Sequence, residues 1–242
     1  MSSIEAVFFD VGGTLVEVSP SVGHVYAGAC ARLGASVAPE AIQRAFDQAW
    51  VTLSVGVPPG ADRYRVFDGG ERAWWERLSA HAFDVCDVAP EHRPQVEDLR
   101  AVFAKADAWR IYPDVREALE ALRRAGVRLG VISNWDSRLP ALLDTLELSE
   151  PFETIVHSAA AGYEKPHPEI FRAALSALGV SARAAAHVGD RLEEDYEGAR
   201  RAGLMGVLLQ RDDSSWRAGG GAPGSHPDRV ADLRELAERV LG

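Results

Sequence analysis

Short apolar runs recur along the chain, separated by longer amphipathic stretches. Ile4 to Phe9 is the first run and ends at Asp10, ahead of a glycine pair. A continuous apolar run before a glycine turn suits a strand buried on both faces of a parallel sheet. Val127 to Ile132 is a second run, ending at Ser133, and Phe152 to Val156 is a weaker third. Ala184 to Val188, ending at Gly189-Asp190, and Gly206 to Leu209 complete the set. Helical patterns lie between them, at Asp114 to Ala125 (closed by Gly126) and at roughly 137–147, 167–178 and 195–202. A terminal amphipathic helix is predicted over 229–241. Strands alternating with helices predict an α/β fold, a doubly wound parallel sheet whose ligands bind at the carboxyl ends of its strands.

One span breaks the alternation. About a hundred residues separate Asp10 from Asp114 with no strand pattern, whereas a crossover between parallel strands needs only about a dozen. That span reads as helical. Ser19 is the expected N-cap with Pro20 behind it, and Val22, Val25, Tyr26, Ala29 and Leu33 then share a face. Ile42, Phe46, Ala49, Trp50 and Leu53 form a second stripe. Trp74, Leu78 and Val85 begin a third, and Val96, Leu99, Val102 and Phe103 form a fourth. Four such stripes can bury one another in a bundle. The expected organisation is therefore a helical domain at 18–108 inserted into a core formed by 1–17 and 109–242. Aromatic residues at helical spacing, Trp50, Trp74 and Trp75, are read as bundle core rather than pocket lining. Gly219-Gly220-Gly221, with Pro223, Gly224 and Pro227, reads as a surface loop, because no strand–glycine–helix context makes it a phosphate loop.

Composition narrows the partners. The 242 residues carry a net charge of −10, which disfavours nucleic acid or an anionic membrane as the main partner. No run of 18 apolar residues spans a membrane. Two cysteines, Cys30 and Cys86, form no disulfide framework, and with no basic signal segment at Met1 to Glu5 a cytoplasmic setting is expected. Lys105 and Lys165 are the only lysines among 26 basic residues.

Asp10, Ser133 and Asp190 each close an apolar run, and Lys165 follows the third. In a parallel sheet those ends face one way, so a carboxylate nucleophile, a hydroxyl, a cation and a second carboxylate can meet in one crevice. That set suits phosphoryl chemistry with a divalent metal held through oxygen.

The same segments resemble the four motifs of the haloacid dehalogenase superfamily. Asp10-Val11-Gly12-Gly13-Thr14-Leu15 resembles the first, written D-x-D-G-T-L; Ile132-Ser133-Asn134 the second; Lys165-Pro166-His167-Pro168-Glu169-Ile170-Phe171 the third; and Gly189-Asp190 with Glu194-Asp195 the fourth. The insertion falls where that family carries a type 1 helical cap. The degenerate first motif, with Gly12 in place of its second aspartate, and Arg72-Ala73-Trp74-Trp75 resemble the subgroup of haloacid dehalogenase-like hydrolase domain-containing protein 3. The resemblance implies a Rossmann-like core with a cap, Mg²⁺ as cofactor, and a small phosphorylated substrate. It implies Asp10 as nucleophile and Lys165 as its partner. Thr14, Ser133, Asn134 and Lys165 would bind phosphate. Asp10, the Gly12 carbonyl and Asp190 would hold the metal, with Glu194 and Asp195 behind them.

Gly12 departs from the pattern. The family's second aspartate protonates the leaving alcohol, and glycine cannot. Two readings follow: a slow Mg²⁺-dependent phosphatase, or a phosphate- and Mg²⁺-binding protein without useful turnover. Phosphonatase and 2-haloacid dehalogenase chemistry also dispense with that aspartate. The first needs a cap lysine and the second does without the metal set, so both are disfavoured.

Overall fold

The computed structural model describes residues 4–211 and 228–242, so the predicted glycine-rich loop at 219–227 lies outside the described residues. The chain divides into two compact units, one of Met1–Glu17 with Ile111–Gly242 and one of Val18–Arg110.

The strands are β1 (Ala6–Phe9), β2 (Val16–Val18), β3 (Trp109–Ile111), β4 (Arg128–Ser133), β5 (Thr154–His157), β6 (Ala185–Gly189), β7 (Met205–Leu209) and β8 (Arg229–Val230). Six of them form one sheet in the order β5-β4-β1-β6-β7-β8, with every pairing parallel. The order reverses direction at β1, which lies between β4 and β6, and the crevice at such a switch point is where open α/β sheets take their ligands. Register does the rest. Phe9 pairs with Val131 on one side and Val188 on the other, so the residues that follow leave the sheet at one level.

The inserted unit holds α1 (Val22–Arg32), α2 (Pro39–Ser54), α3 (Arg63–Val66), α4 (Gly70–Val85) and α5 (Val96–Phe103). Its core joins Tyr26 and Cys30 of α1, Ile42 and Ala45 of α2, Ala82 and Phe83 of α4, and Leu99 of α5. Trp74 is fully buried, edge-on to Trp50 at 6.0 Å and to Phe67 at 5.3 Å, as expected for bundle core. The guanidinium of Arg63 lies 4.4 Å over the Trp50 ring.

Around the main sheet run α6 (Val115–Arg124), α7 (Leu139–Thr145), α8 (Ser158–Ala161), α9 (Pro168–Leu178), α10 (Gly198–Arg201) and α11 (Leu233–Leu241). Ile170, Phe171, Ala174 and Leu178 of α9 pack with Phe8, Ile132 and Ala185 on one sheet face, while α6 packs against β4 and α11. Burial of several large apolar side chains there, at ~1.5–3 kcal/mol each, is what holds the strand ends in place.

Four expectations are corrected. The first helix is capped by Ser21, whose side chain accepts from His24 N, two residues beyond the predicted Ser19 cap; Ser19 N instead donates to Ala108 O. Leu33 and Val85, expected in the stripes, are 43% and 50% exposed; each ends its helix, where the buried face has already turned away. The span between Asp10 and Asp114 does contain strand: β2 and β3 pair as a two-stranded ribbon carrying both chain crossings between the units. Finally, 229–241 opens with β8, because Arg229–Val230 adds to the sheet edge before Asp232 caps α11.

Candidate active site

The site is built where β1, β4 and β6 end. Asp10 follows β1, its N–H donating to Val188 O at 2.9 Å. The chain then turns tightly: Leu15 N and Val16 N both donate to Val11 O, and Gly13 takes φ 76°, a left-handed angle that glycine adopts without strain. Gly12 bridges to Val16. Thr14 is fully buried, and its Oγ1 has no hydrogen-bond partner among the described residues.

Lys165 is 3% exposed and spends its three N–H donors on three acceptors. Nζ donates to Asp10 Oδ1 at 2.7 Å, to Asp195 Oδ1 at 2.5 Å and to Ile132 O at 3.0 Å. Burial alone pulls an ammonium toward neutrality, but the carboxylates of Asp10 and Asp195 outweigh it and hold Lys165 above its ordinary range, so it is charged. Asn134 clamps the same residue by its backbone: Oδ1 accepts from Lys165 N at 2.6 Å and Nδ2 donates to Lys165 O at 3.0 Å. Glu194 Oε2 accepts from Asn134 Nδ2 at 3.3 Å, one step farther from the reacting atoms.

Ser133 Oγ donates to Asp10 Oδ1 at 2.8 Å. Both bonds to Asp10 therefore fall on Oδ1, and Oδ2 takes none among the described residues.

Asp195 sits in a π-helical turn, Leu192–Glu197, in which Tyr196 N reaches back to Arg191 O. Such wide turns are frequent at functional sites. Its Oδ2 accepts from Arg191 N at 2.9 Å, and its Oδ1 takes Lys165 and His187 Nε2, the latter at 3.1 Å. Burial favours the neutral carboxyl, yet Lys165 and His187 more than offset it and hold Asp195 below the usual carboxylate range. Gly189 makes room for this side chain: a Cβ there would stand 2.2 Å from the Asp195 carboxylate.

Asp190 differs from its neighbours. Its Oδ1 is buried with no hydrogen-bond partner among the described residues, and burial together with the charges of Asp195 and Asp10 pushes its pKa well above the ordinary value. Asp10, Asp190 and Asp195 offer oxygens within 4.8 Å of one another. Three carboxylates crowded around Lys165, with Asp10 Oδ2 and Asp190 Oδ1 unpaired among the described residues, form a donor set that fits a hard divalent cation. Asp195 lies within this cluster and bonds Lys165.

The structure thus brings Asp10, Ser133, Asn134, Lys165, Asp190 and Asp195 together, with Gly12 and Thr14 in the adjoining loop and Glu194 at the margin. Sequence reasoning passed over His187. A lone histidine inside the apolar run Ala184 to Val188 was the available signal.

A family model described as haloacid dehalogenase-like hydrolase matches residues 4–203. The chain is 34% identical over 209 residues to the human haloacid dehalogenase-like hydrolase domain-containing protein 3, covering 85% of this chain and 82% of that one. It is 31% identical over 199 residues to a phosphoserine phosphatase of Thermus thermophilus, covering 79% and 73%. The fold matches a crystal structure of a HAD phosphatase from Thermococcus onnurineus with a TM-score of 0.65 at 22% identity, over 98% of this chain and 97% of that one. No helix among the described residues is long and apolar enough to cross a membrane. With the match running through all four motif segments that meet at the β1 edge, the chain belongs to the haloacid dehalogenase-like hydrolases.

Proposed function

We propose that this protein is a phosphatase of a small phosphorylated metabolite, working through an aspartyl-phosphate on Asp10 with Mg²⁺ as its cofactor. The observation that carries the reading is the asymmetry of Asp10: Lys165 and Ser133 hold Oδ1, and Oδ2 is left to attack. In the first half-reaction Asp10 Oδ2 forms a bond to phosphorus, the bond from phosphorus to the substrate oxygen breaks, and that oxygen leaves with its electron pair and takes a proton from solvent water. In the second, water attacks phosphorus, the bond to Asp10 breaks, and inorganic phosphate departs. Ser133 Oγ, Thr14 and the Asn134 backbone N–H would hold phosphoryl oxygens, and Lys165 would offset their charge. Asp10, the Gly12 carbonyl and Asp190 would hold Mg²⁺, which supplies charge neutralisation at the phosphoryl group, with Asp195 and Glu194 supporting them. Gly12 leaves the departing oxygen without a side-chain acid, and general acid catalysis is worth ~10²–10⁴ in rate, so turnover is slow. The relatives named as phosphatases support the reaction class.

The test is hydrolysis of a phosphomonoester panel with and without Mg²⁺, alongside beryllofluoride binding as an aspartyl-phosphate mimic. Activity that needs Mg²⁺ and falls to background in Asp10→Asn is expected. Hydrolysis that survives Asp10→Asn defeats the reading. Gly12 favours one other outcome, a phosphate- and Mg²⁺-binding protein: beryllofluoride would then bind through Asp10 while no ester turned over.

A further inference from the structure

We propose that His187 is a positioning residue of this site, holding the Asp195 oxygen on which Lys165 docks. The inference rests on the phosphoryl-transfer reading for its kinetic consequence and on geometry for its content. His187 lies in β6, opposite Phe8 of β1 and Gly206 of β7, and is fully buried. Its ring stands edge-on to Phe171 of α9, centroids 5.3 Å apart at 84°. Its Nε2 is 3.1 Å from Asp195 Oδ1, the atom that also accepts Lys165 Nζ at 2.5 Å. Its Nδ1 is buried with no partner among the described residues.

These contacts assign the tautomer. Asp195 Oδ1 is an acceptor, so Nε2 carries the proton and donates it. A second proton on Nδ1 would be a buried donor without a partner among the described residues and would put a charge on a fully buried ring, which costs more than leaving a lone pair there. A neutral ring with one directed N–H therefore sits behind the carboxylate. Without that N–H, Asp195 keeps Arg191 N on Oδ2 and Lys165 Nζ on Oδ1 but loses the one neutral bond to Oδ1, whose position is then set by Lys165 alone. Lys165 and that oxygen can then shift together, and Asp10 Oδ1 with them. The flanking side chains of β6, Ala186 and Val188, carry no hydrogen-bond donor.

The experiment compares His187→Leu, which removes the donor, with His187→Gln, which keeps an N–H at similar reach. Turnover of p-nitrophenyl phosphate, melting temperature and beryllofluoride–Mg²⁺ affinity are measured for each. Loss of an outer partner of this kind typically costs about 10–100-fold. His187→Leu is expected to lower kcat by that factor with KM unchanged, and His187→Gln to recover most of it. A Leu variant at the wild-type rate, or a Gln variant as slow as the Leu variant, overturns the proposal. Nitrogen NMR of the wild-type imidazole decides independently of any variant that fails to fold: a neutral ring protonated at Nε2 supports the assignment, and an Nδ1–H ring refutes it. If the wild type turns over no ester, the phosphatase reading falls by itself. The His187 proposal is then judged by the NMR tautomer and by beryllofluoride affinity, which must weaken in Leu and recover in Gln.

Discussion

Asp114 with Arg211, and Asp10 with Lys165, are two buried ion pairs in the same α/β unit, yet their surroundings have opposite charge balance. Arg211 grips Asp114 through two parallel bonds, Nη1 to Oδ1 at 2.8 Å and Nη2 to Oδ2 at 3.0 Å. Leu233 N adds a third bond to Asp114 at 2.7 Å, Arg211 Nη2 also donates to Thr14 O at 2.9 Å, and the guanidinium lies 4.0 Å over the Tyr112 ring. One cation meets one anion, and each carboxylate oxygen has a partner. Lys165 bonds two carboxylates, Asp10 and Asp195, while Asp190 lies within reach of both and its Oδ1 has no hydrogen-bond partner among the described residues. A closed pair braces the fold: it ties the loop after β1 to the starts of α6 and α11. An open cluster crowds like charge, and a bound cation or a proton on Asp190 relieves it. Burial and ion pairing alone do not mark a site; crowded like charge does.

The comparison can be sharpened by experiment. The largest effect is expected at Gly12, in the open cluster. Gly12→Asp adds the missing acid, and phosphomonoester turnover should rise by up to ~10²–10⁴. The left-handed angle in this loop belongs to Gly13, φ 76°, and not to Gly12, so no left-handed φ opposes a side chain at Gly12. A folded, Mg²⁺-binding variant with no gain in rate on a broad panel would count against the phosphatase reading.

In the closed pair, Asp114→Ala leaves Arg211 buried without its carboxylate. Breaking a buried pair costs about 3–5 kcal/mol, roughly 6–20 °C in melting temperature for a chain of this size. Melting within a degree of wild type would mean that the brace is not one.

Removal of a carboxylate from the open cluster should act the other way. Without metal, Asp190→Asn is expected to melt at or above the wild-type temperature, because it relieves like charges, while calorimetry shows Mg²⁺ binding lost. The pH dependence carries the same sign. Folded Asp190 holds its proton to a higher pH than the unfolded chain does, so this group's contribution to metal-free stability falls as pH rises from the ordinary carboxylate range through the raised value. The slope should be absent from Asp190→Asn. A metal-free wild type without it would dissolve the contrast between the two clusters.

The smallest effect concerns α11, which the closed pair also holds. Asp232 caps it through Glu235 N at 2.9 Å. Partial burial raises this carboxyl, but Glu235 N–H and Arg234 outweigh that and hold it low, so its contribution is present above the ordinary carboxylate range and is lost as pH falls through the lowered value. Asp232→Ala should cost only about 1 kcal/mol, because Leu233 N still donates to Asp114. Unfolding of the whole unit in that variant, followed by circular dichroism, would show that the cap and not the ion pair is the brace.

Periodicity and punctuation determined much of this protein before any contact was known. Apolar runs ending in Asp10, Ser133 and Asp190 carry their own geometry, since parallel strands deliver their last residues to one edge. The helical insertion follows from stripes that have no other place to bury. Gly126, at φ 82°, ends α6 where glycine was expected. What only the tertiary structure decided are the contacts between residues far apart in the chain. The Arg211–Asp114 pair spans 97 residues, and the Lys165–Asp10 bond spans 155. Lys165 was legible because a rare residue beside a proline stands out. Arg211 was not, being one arginine among many. His187 reads as strand because its strand is apolar on both sides, and only the approach of Asp195 from the π-helical turn gives its ring something to hold. Patterns of burial are local and repeat every two or 3.6 residues, so the sequence displays them; the partner of a buried charge is set by which turns the packed sheet brings together.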